Sequence, residues 1–270
     1  MKFSVLISVY KRENAQNLRN AIESISIHQT IVPSEIILVK DGILTFELEE
    51  MILFIKKKVS YLKVFGYEKN RGLGYALNYG LDKCTNDLVF RMDADDISNN
   101  ERFQIQLNFL KQNPDISILG SSIEEFNYKP NDLKRIRKVP VTAIDIDKKK
   151  LIRNPFNHMT VCFKKSNILR AGGYLDMPGY EDYYLWLRVL NFSKGYNLDK
   201  PLVFARVGND MFGRRHGIRF FINEIRFQKT IYNDGIQSFY SFIKNVIIRG
   251  IPRLFPKFIL KLIYKNLLRN

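Results

Sequence analysis

The sequence predicts an α/β protein in which helices cover both faces of a mainly parallel, doubly wound sheet. Four apolar runs of strand length lie within the first 92 residues, and three segments with helical spacing of apolar residues separate them. Strands that alternate with helices favour a parallel sheet, because each helix returns the chain to the same sheet end. Ligands of such sheets bind at the carboxyl ends of the strands.

The predicted elements of the first half follow one another with short polar turns. Strands are predicted at residues 3–9, 35–39, 62–67 and 88–92. Asn14 is the expected N-cap of the first helix, the second helix spans residues 46–57, and the third opens at residues 70–74. The strand ends therefore place Tyr10, Asp41, Asn70, Arg71 and Asp93 to Asp95 along one sheet edge.

The second half of the chain is less regular. Strands are expected within residues 116–126, 158–163 and 201–207, and a basic exposed segment at 132–139. Helices are expected at residues 183–190 and 220–231, and the chain from Gln237 onward is basic, apolar and helical in pattern.

Composition sets bounds on the protein class. With 270 residues and 46% hydrophobic content, the chain can form one large domain, or one domain with an appendage. No apolar run is long enough to span a bilayer, and the N-terminus reads as a strand rather than a signal peptide. Cys84 and Cys162 match no metal-ligand spacing and are expected to be free thiols in a reducing cytoplasm. The net charge of +16 implies an anionic partner: nucleic acid, a membrane surface or a phosphorylated substrate.

The fourth strand leads into an acidic turn that carries Asp93, Asp95 and Asp96. Such closely spaced carboxylates repel one another unless a positive charge lies among them. Mg²⁺ or Mn²⁺ meets that need, because both prefer oxygen ligands and keep coordination sites free for phosphates. The alternative is an acidic surface turn that caps the helix beginning near Glu101.

These motifs in this order resemble the family 2 glycosyltransferases with the GT-A fold, particularly the bacterial branch that builds lipopolysaccharide, capsule and exopolysaccharide repeat units. The matching stretches are Ser8-Val9-Tyr10, Val39-Lys40-Asp41-Gly42, Asn70-Arg71-Gly72-Leu73-Gly74, Met92-Asp93-Ala94-Asp95-Asp96, and Glu181-Asp182 before an aromatic helix. The resemblance covers roughly residues 1–215, which leaves 216–270 as a basic, amphipathic helical extension. One departure is Lys40, where many members carry an acid.

The resemblance implies a set of donor-binding residues. Asp41 would accept a hydrogen bond from the base, and Arg71 would stack on the base or bind phosphate, although a turn residue and a solvated loop arginine are the simpler alternatives. The other residues implied for donor binding are Tyr10, Asn70, Gly72, Asp93, Arg214 and His216, with Arg215 beside them. Asp93 and Asp95 are the implied metal ligands, with Mn²⁺ or Mg²⁺ bridging the diphosphate.

The resemblance also implies a general base. Asp182 would take the proton of the acceptor hydroxyl, and Glu181 would orient the acceptor or tune the base. Both acids can instead cap the helix that follows, and the two roles are compatible. Trp186 is expected in the core rather than under a sugar.

The expected function is an inverting, metal-dependent transfer of a hexosyl or N-acetylhexosaminyl group from a nucleotide sugar, most simply a UDP-sugar, to a growing glycan or lipid-linked acceptor, with no nucleic-acid partner. A nucleotidyltransferase is the alternative enzyme, but its phosphate-binding loop would normally follow the first strand, where residues 11–14 lie. A non-catalytic nucleic-acid binder is the alternative that the charge suggests.

Residues 237–270 predict peripheral attachment to the inner face of the plasma membrane. They combine many apolar residues with no acid and seven cations, namely Lys244, Arg249, Arg253, Lys257, Lys261, Lys265 and Arg269. Pro252 and Pro256 divide the segment into pieces too short to span a bilayer. A basic amphipathic helix suits an anionic lipid surface, and the rival interpretation is that its apolar side packs on the catalytic domain.

Overall fold

The computed structural model describes residues 1–208 and 217–254. The strands are β1 (Ser4–Val9), β2 (Glu35–Asp41), β3 (Leu62–Tyr67), β4 (Leu88–Met92), β5 (Ile97–Ser98), β6 (Ile116–Phe126), β7 (Arg135–Arg137), β8 (Cys162–Lys164) and β9 (Lys194–Arg206). The α-helices are α1 (Ala15–Ser24), α2 (Phe46–Lys58), α3 (Leu73–Lys83), α4 (Arg102–Gln112), α5 (Ala143–Lys149), α6 (Lys165–Arg170), α7 (Glu181–Val189), α8 (Ile218–Asn233) and α9 (Phe239–Asn245).

The first half of the chain forms the predicted parallel sheet. The order is β3-β2-β1-β4, and every neighbouring pair is parallel. Helix α1 begins as expected, because the side chain of Asn14 accepts hydrogen bonds from the backbone N–H groups of Gln16 and Asn17. The α/β prediction is confirmed, because helices cover both faces of a single sheet.

The second half of the sheet is mixed. The path continues from β4 through β8, β6 and β9 to β5; β8 is antiparallel to both of its neighbours, and β6 and β9 are parallel. The strand predicted over 158–163 is wrong in its first half, since His158–Thr160 form a 3₁₀ turn before β8. The side chain of Thr160 explains this turn, because its hydroxyl donates back to the carbonyl of Asn157 at 2.8 Å.

The core lies on both faces of the sheet. Side chains that alternate along a strand face opposite sides. On one side α1, α2 and α4 pack around residues such as Val5 and Phe90, and on the other α3, α6 and α7 pack around Leu6 and Val89. Trp186 is fully buried in the second cluster, as predicted. Cys84 and Cys162 are buried free thiols, and burial raises the pKa of each to about 12.

The chain after Gly217 packs on α7. Phe227 and Ile231 of α8 join Tyr180, Tyr183 and Leu187 in a third apolar cluster. The Tyr180 and Phe227 rings stack with centroids 4.5 Å apart. The described part of the predicted extension is helical and continues α9 with a π-helical turn, Val246–Gly250, and a 3₁₀ turn, Ile251–Leu254. Among the described residues, no helix combines the length and the apolar character needed to cross a membrane.

Candidate active site

The carboxyl ends of β1 to β4 bring the predicted polar residues to one sheet edge. Val9 pairs with Lys40, Asp41 pairs with Tyr67, and Ile7 pairs with Met92. Because the strands are parallel and in register, the residues after each strand lie side by side. The sequence prediction that Tyr10, Asp41 and the acidic turn share this edge is confirmed in the fold.

The Asp41 carboxylate accepts four hydrogen bonds at one side of the site. Its Oδ1 accepts from the Tyr67 hydroxyl at 2.9 Å and from the Arg71 backbone N–H at 2.7 Å. Its Oδ2 accepts from Asn70 Nδ2 at 2.9 Å and from the Gly72 backbone N–H at 3.1 Å. A carboxylate offers about four acceptor positions, so all of them are satisfied by the protein. Buried Asp41 therefore fixes the loop between β3 and α3.

That loop presents a flat, cationic surface. The Arg71 guanidinium lies 3.6 Å from the centroid of the Tyr75 ring, and both side chains are exposed. Gly72 precedes α3 with a φ of 88°, a left-handed conformation that glycine adopts without strain. Stacked guanidinium and phenol groups can hold a nucleobase or a phosphate. Tyr10 is also exposed, and it follows β1, the strand that pairs with β2.

The acidic turn after β4 carries two carboxyl groups of different character. Asp93 is half-buried and accepts a hydrogen bond from Arg91 Nη2. Asp95 is also half-buried; burial, together with the charges of Asp93 and Glu13, raises its pKa to about 7. Burial and the two like charges both disfavour the ionised form of the Asp95 carboxyl.

Asp96 has a structural role. It is 2% exposed, and its Oδ1 accepts from the Arg206 backbone N–H at 2.8 Å, which ties the turn to the end of β9. Arg206 Nε donates to the carbonyl of Asp95 at 3.1 Å. Burial and then the charges of Asp93 and Asp95 raise the pKa of Asp96. Asp96 therefore stabilises the turn from its buried side.

A divalent cation fits the Asp93–Asp95 turn on chemical grounds. The raised pKa of Asp95 marks a negative charge that a cation would stabilise, and carboxylate oxygens are the ligands that Mg²⁺ and Mn²⁺ prefer. Within residues 1–208 and 217–254, however, no three His, Cys, Asp or Glu side chains form a complete metal cage. The cation would thus need ligands from a bound substrate or water, as is usual for Mg²⁺ at phosphate sites.

Asp182 and Glu181 occupy the first turn of α7. Asn154 Nδ2 donates to Asp182 Oδ2 at 2.7 Å, and the Gly179 N–H donates to Glu181 Oε2 at 2.9 Å. Burial raises the pKa of Glu181. A Cβ at Gly74 would lie 3.3 Å from Glu181 Cγ, so glycine there lets α3 and α7 approach closely. Gly74 thereby lets the start of α3 lie close to the first turn of α7, which carries Asp182.

Arg91 is a buried cation that contacts Asp93 and lies near His158, as Asp182 does, and it is not among the predicted site residues. It is 1% exposed, and it points from β4 to the sheet face that α7 covers. His158 and Tyr174 lie nearby, with the His158 Nε2 atom 3.1 Å from the Tyr174 hydroxyl. The charges of Arg91, Asp93 and Asp182 influence the pKa values of both side chains. Burial, reinforced by Arg91, lowers the pKa of His158 to about 4, so His158 is neutral at physiological pH.

Two nitrogen atoms of Arg91, Nε and Nη1, are buried without a hydrogen-bond partner in the described part of the chain. The sequence did contain a signal for Arg91, since it lies inside an apolar strand. Arginine is almost never fully buried unless it is paired, so an arginine at such a position indicates a nearby anionic partner. Asn154, which holds Asp182, had no comparable signal. Arg214, Arg215 and His216 lie outside the described residues.

Comparison with known sequences identifies a family. Residues 4–172 match the model of the family described as Glycosyl transferase family 2. The chain is 42% identical over 270 residues to the UDP-Gal:alpha-D-GlcNAc-diphosphoundecaprenol beta-1,3-galactosyltransferase of Escherichia coli; the match covers 100% of this chain and 97% of that protein.

Solved structures show the same fold. The TarS 1-349 structure from S. aureus in complex with UDP-GlcNAc matches 94% of this chain and 72% of its own, with a TM-score of 0.68 and 18% identity. The mannosyltransferase PcManGT of Pyrobaculum calidifontis, in complex with GDP-Man and Mn2+, matches 98% of this chain and 75% of its own, with a TM-score of 0.66 and 16% identity. At these identities the likeness concerns the fold.

Proposed function

The chain belongs to glycosyl transferase family 2, and we propose that it transfers a hexosyl or N-acetylhexosaminyl group from a UDP-sugar to a lipid-linked glycan acceptor. The observation that carries this proposal is the full-length similarity to a galactosyltransferase named for a UDP-Gal donor and a diphosphoundecaprenol-linked acceptor. Family membership makes the chain a glycosyltransferase, so neither the nucleotidyltransferase nor the nucleic-acid binder is the function that we propose.

The donor nucleotide would lie against the loop that Asp41 holds. Tyr10, Asn70, Arg71 and Gly72 form its proposed surroundings, with the exposed Arg71–Tyr75 pair as the stacking surface. Since the four acceptor positions of Asp41 are occupied, its contribution to binding would be to fix Arg71 and Gly72. Arg214 and His216 remain proposed phosphate-binding residues.

Asp93 and Asp95 are the proposed ligands of Mn²⁺ or Mg²⁺. When bound, such a cation acts as a Lewis acid that neutralises charge on the departing nucleoside diphosphate. The protein itself would hold the carboxylates of Asp93 and Asp95 in position. Arg91 holds Asp93, and the Asp96–Arg206 contact fixes the backbone of the turn. Both supports are buried, so the acids are positioned before the donor binds.

Asp182 is the proposed general base. Within the described residues, Asn154 is its one hydrogen-bond donor and occupies Oδ2, which leaves Oδ1 to accept a proton from an acceptor hydroxyl. As that proton moves to Oδ1, the hydroxyl oxygen would form a bond to the anomeric carbon while the bond to the diphosphate breaks. A single direct displacement of this kind inverts the anomeric configuration. Glu181, fixed by the Gly179 N–H, would orient the acceptor.

The proposed place of work follows from the proposed acceptor. A lipid-linked glycan presents its sugar at a membrane surface, and a UDP-sugar is a cytoplasmic metabolite. We therefore propose a protein attached peripherally to the inner face of the plasma membrane, where both substrates meet.

Nucleotide-dependent thermal stability tests the donor assignment. UDP with Mn²⁺ should raise the melting temperature by several degrees, since ligand at a hundredfold excess over Kd stabilises the folded state by about 2.7 kcal/mol. Arg71→Ala should reduce that shift. Arg170→Ala should preserve it, because exposed Arg170 also stacks on a ring, at 4.2 Å from Phe192, but away from the site. A shift with GDP, CMP or an oligonucleotide, and none with UDP, would contradict the proposal.

A further inference from the structure

The helices after Gly217 are attached to α7 through a buried polar cluster, here called the brace: Tyr180, Glu224, Gln228, Arg249 and Arg253. Glu224 is fully buried and forms ion pairs with Arg249 and Arg253, each at 2.8 Å. It also accepts hydrogen bonds from the Tyr180 hydroxyl at 2.7 Å and from Gln228 Nε2 at 2.9 Å. A buried carboxylate with this many donors is well satisfied. The charges of Arg249 and Arg253 keep its pKa low despite its burial.

The brace changes the interpretation of the basic C-terminal segment. The sequence pattern includes Arg249 and Arg253 among the cations expected to face lipid, yet both form ion pairs with Glu224. Removing one partner of a buried ion pair is strongly destabilising, because it leaves the other charge buried and unpaired. These two arginines therefore hold α9 and the turns after it against α8, and they are not free for an external anion.

The opposite side of the same segment is apolar and exposed. Phe239, Ile243, Ile247 and Ile251 are 61%, 41%, 52% and 40% exposed. They recur every four residues along α9 and the turns after it, and all four face solvent. Tyr240 and Ile248 form a second row beside them and are 77% and 48% exposed. These six residues are here called the apolar stripe. Contiguous exposed apolar surface of this kind marks an interaction site.

The exposed charge of helices α8 and α9 is positive. Helices α8 and α9 carry the exposed cations Arg219, Arg226, Lys229 and Lys244. Residues 218–254 contain only two acids: Glu224 in the brace, and Asp234, which accepts a hydrogen bond from the Tyr184 hydroxyl. An apolar face flanked by cations is complementary to a surface that is both apolar and anionic.

We propose that the apolar stripe seats the protein on anionic lipid, with Phe239, Ile243 and Ile247 entering the boundary between headgroups and acyl chains. The proposal deepens the proposed function by naming the surface that meets the membrane. The brace then has a catalytic consequence: Tyr180, which bonds to Glu224, directly precedes Glu181 and Asp182. The proposed base is thus held at a fixed position relative to the lipid surface from which the acceptor is presented.

Charge decides between lipid and the other possible occupants of the stripe. A second copy of the chain would bring like charges together around Lys244, which is unfavourable. Residues 255–270 add Lys257, Lys261, Lys265 and Arg269 and no acid, so they offer no complementary charge. Each exposed cation near an anionic bilayer favours binding. Anionic lipid is the occupant that satisfies both the apolar and the charged part of the surface.

Flotation of the full chain with vesicles tests this proposal. We expect binding to vesicles of equal parts phosphatidylglycerol and phosphatidylcholine at low salt, release at high salt, and weak binding to phosphatidylcholine alone. Substituting Phe239, Ile243 and Ile247 together by Ser should lower the partition coefficient at least about tenfold, because three apolar side chains leave the boundary.

The matched control removes exposed apolar side chains elsewhere. Leu53, Tyr128 and Ile144 are 58%, 85% and 67% exposed and lie on other parts of the surface, so their combined change to Ser should leave flotation intact. Lys244→Glu serves as a second test that spares the apolar residues, and it should weaken binding to the anionic vesicles alone. Deleting the whole segment is a poorer test, because it also removes the brace.

Three results would overturn the proposal: wild-type protein that stays soluble at low salt, equal flotation of the stripe and control variants, or a stripe variant that changes oligomeric state without lipid. Flotation needs neither donor nor acceptor, so its failure leaves the proposed transferase function standing. Conversely, a stripe variant should keep its turnover with a short-chain, water-soluble acceptor, and a chain without any transfer activity could still float.

Discussion

Asp182→Asn should lower turnover by about two or more orders of magnitude while donor affinity stays near the wild-type value. The substitution keeps the shape of the side chain and the possibility of a bond to Asn154, which donates at 2.7 Å. It removes the oxygen that takes the proton, so the acceptor hydroxyl would attack without a base. Rates from saturating donor and acceptor, with UDP affinity measured by calorimetry, separate the two quantities.

Glu181→Gln is the comparison for this experiment, because the two acids are neighbours in the first turn of α7. Its expected effect is smaller, since the Glu181 carboxylate is engaged by the Gly179 N–H and packs against Gly74. If Glu181→Gln removed turnover and Asp182→Asn did not, the base would be misassigned. A collapse of UDP affinity in Asp182→Asn, with normal turnover of bound donor, would move Asp182 to the donor site.

Asp95→Ala should abolish transfer and leave the fold largely intact. The half-buried Asp95 carboxyl lies near the charges of Asp93 and Glu13, and Arg206 compensates its own charge only in part. Without it, the leaving diphosphate loses its principal counter-charge. Removing the carboxylate also relieves repulsion, so thermal stability without metal should not fall. The measurement is turnover, together with Mn²⁺ affinity by calorimetry in the presence of UDP.

The pH dependence of Mn²⁺ binding is part of the same prediction. The pKa of Asp95 is raised from 3.8 to about 7, so below that pH the carboxyl carries a proton that a cation must displace. Mn²⁺ affinity should therefore weaken as the pH falls below about 7 and level off above it. Asp199→Ala is the control, since it removes an exposed aspartate that pairs with Lys138 at the surface. Full activity of folded Asp95→Ala, or of wild type in excess EDTA, would contradict the metal assignment.

Periodicity predicted the regular half of the fold. Strands β1 to β4 are apolar runs of strand length, and parallel pairing puts their ends at one edge, so the positions of Tyr10, Asp41 and the acidic turn followed from the sequence. Periodicity failed at residues 158–160, which form a 3₁₀ turn and not the predicted strand. His158 to Thr160 have the composition of a strand, but a local hydrogen bond from Thr160 to Asn157 favours a turn.

The supports of the site were beyond sequence patterns, because they depend on contacts between distant residues. Asp41 and Gly72 lie 31 positions apart, and nothing in the motif indicated that four donors surround one carboxylate. Arg249 and Arg253 read as two more basic residues of an amphipathic helix, yet Glu224 draws both inward from 25 and 29 positions away. Single-residue charge could not reveal either arrangement, since burial and partner choice are properties of the fold.

Mass spectrometry of the acceptor tests whether the chain transfers a sugar from a UDP-sugar to a lipid-linked acceptor. The purified chain would be incubated with Mn²⁺, a synthetic N-acetylglucosamine diphospholipid, and in turn UDP-galactose, UDP-glucose, UDP-N-acetylglucosamine and GDP-mannose. We expect that at least one UDP-sugar adds the mass of one sugar to the acceptor, that GDP-mannose does not, and that Asp182→Asn removes the product. Extension from GDP-mannose alone, or product formation that survives Asp182→Asn unchanged, would contradict it.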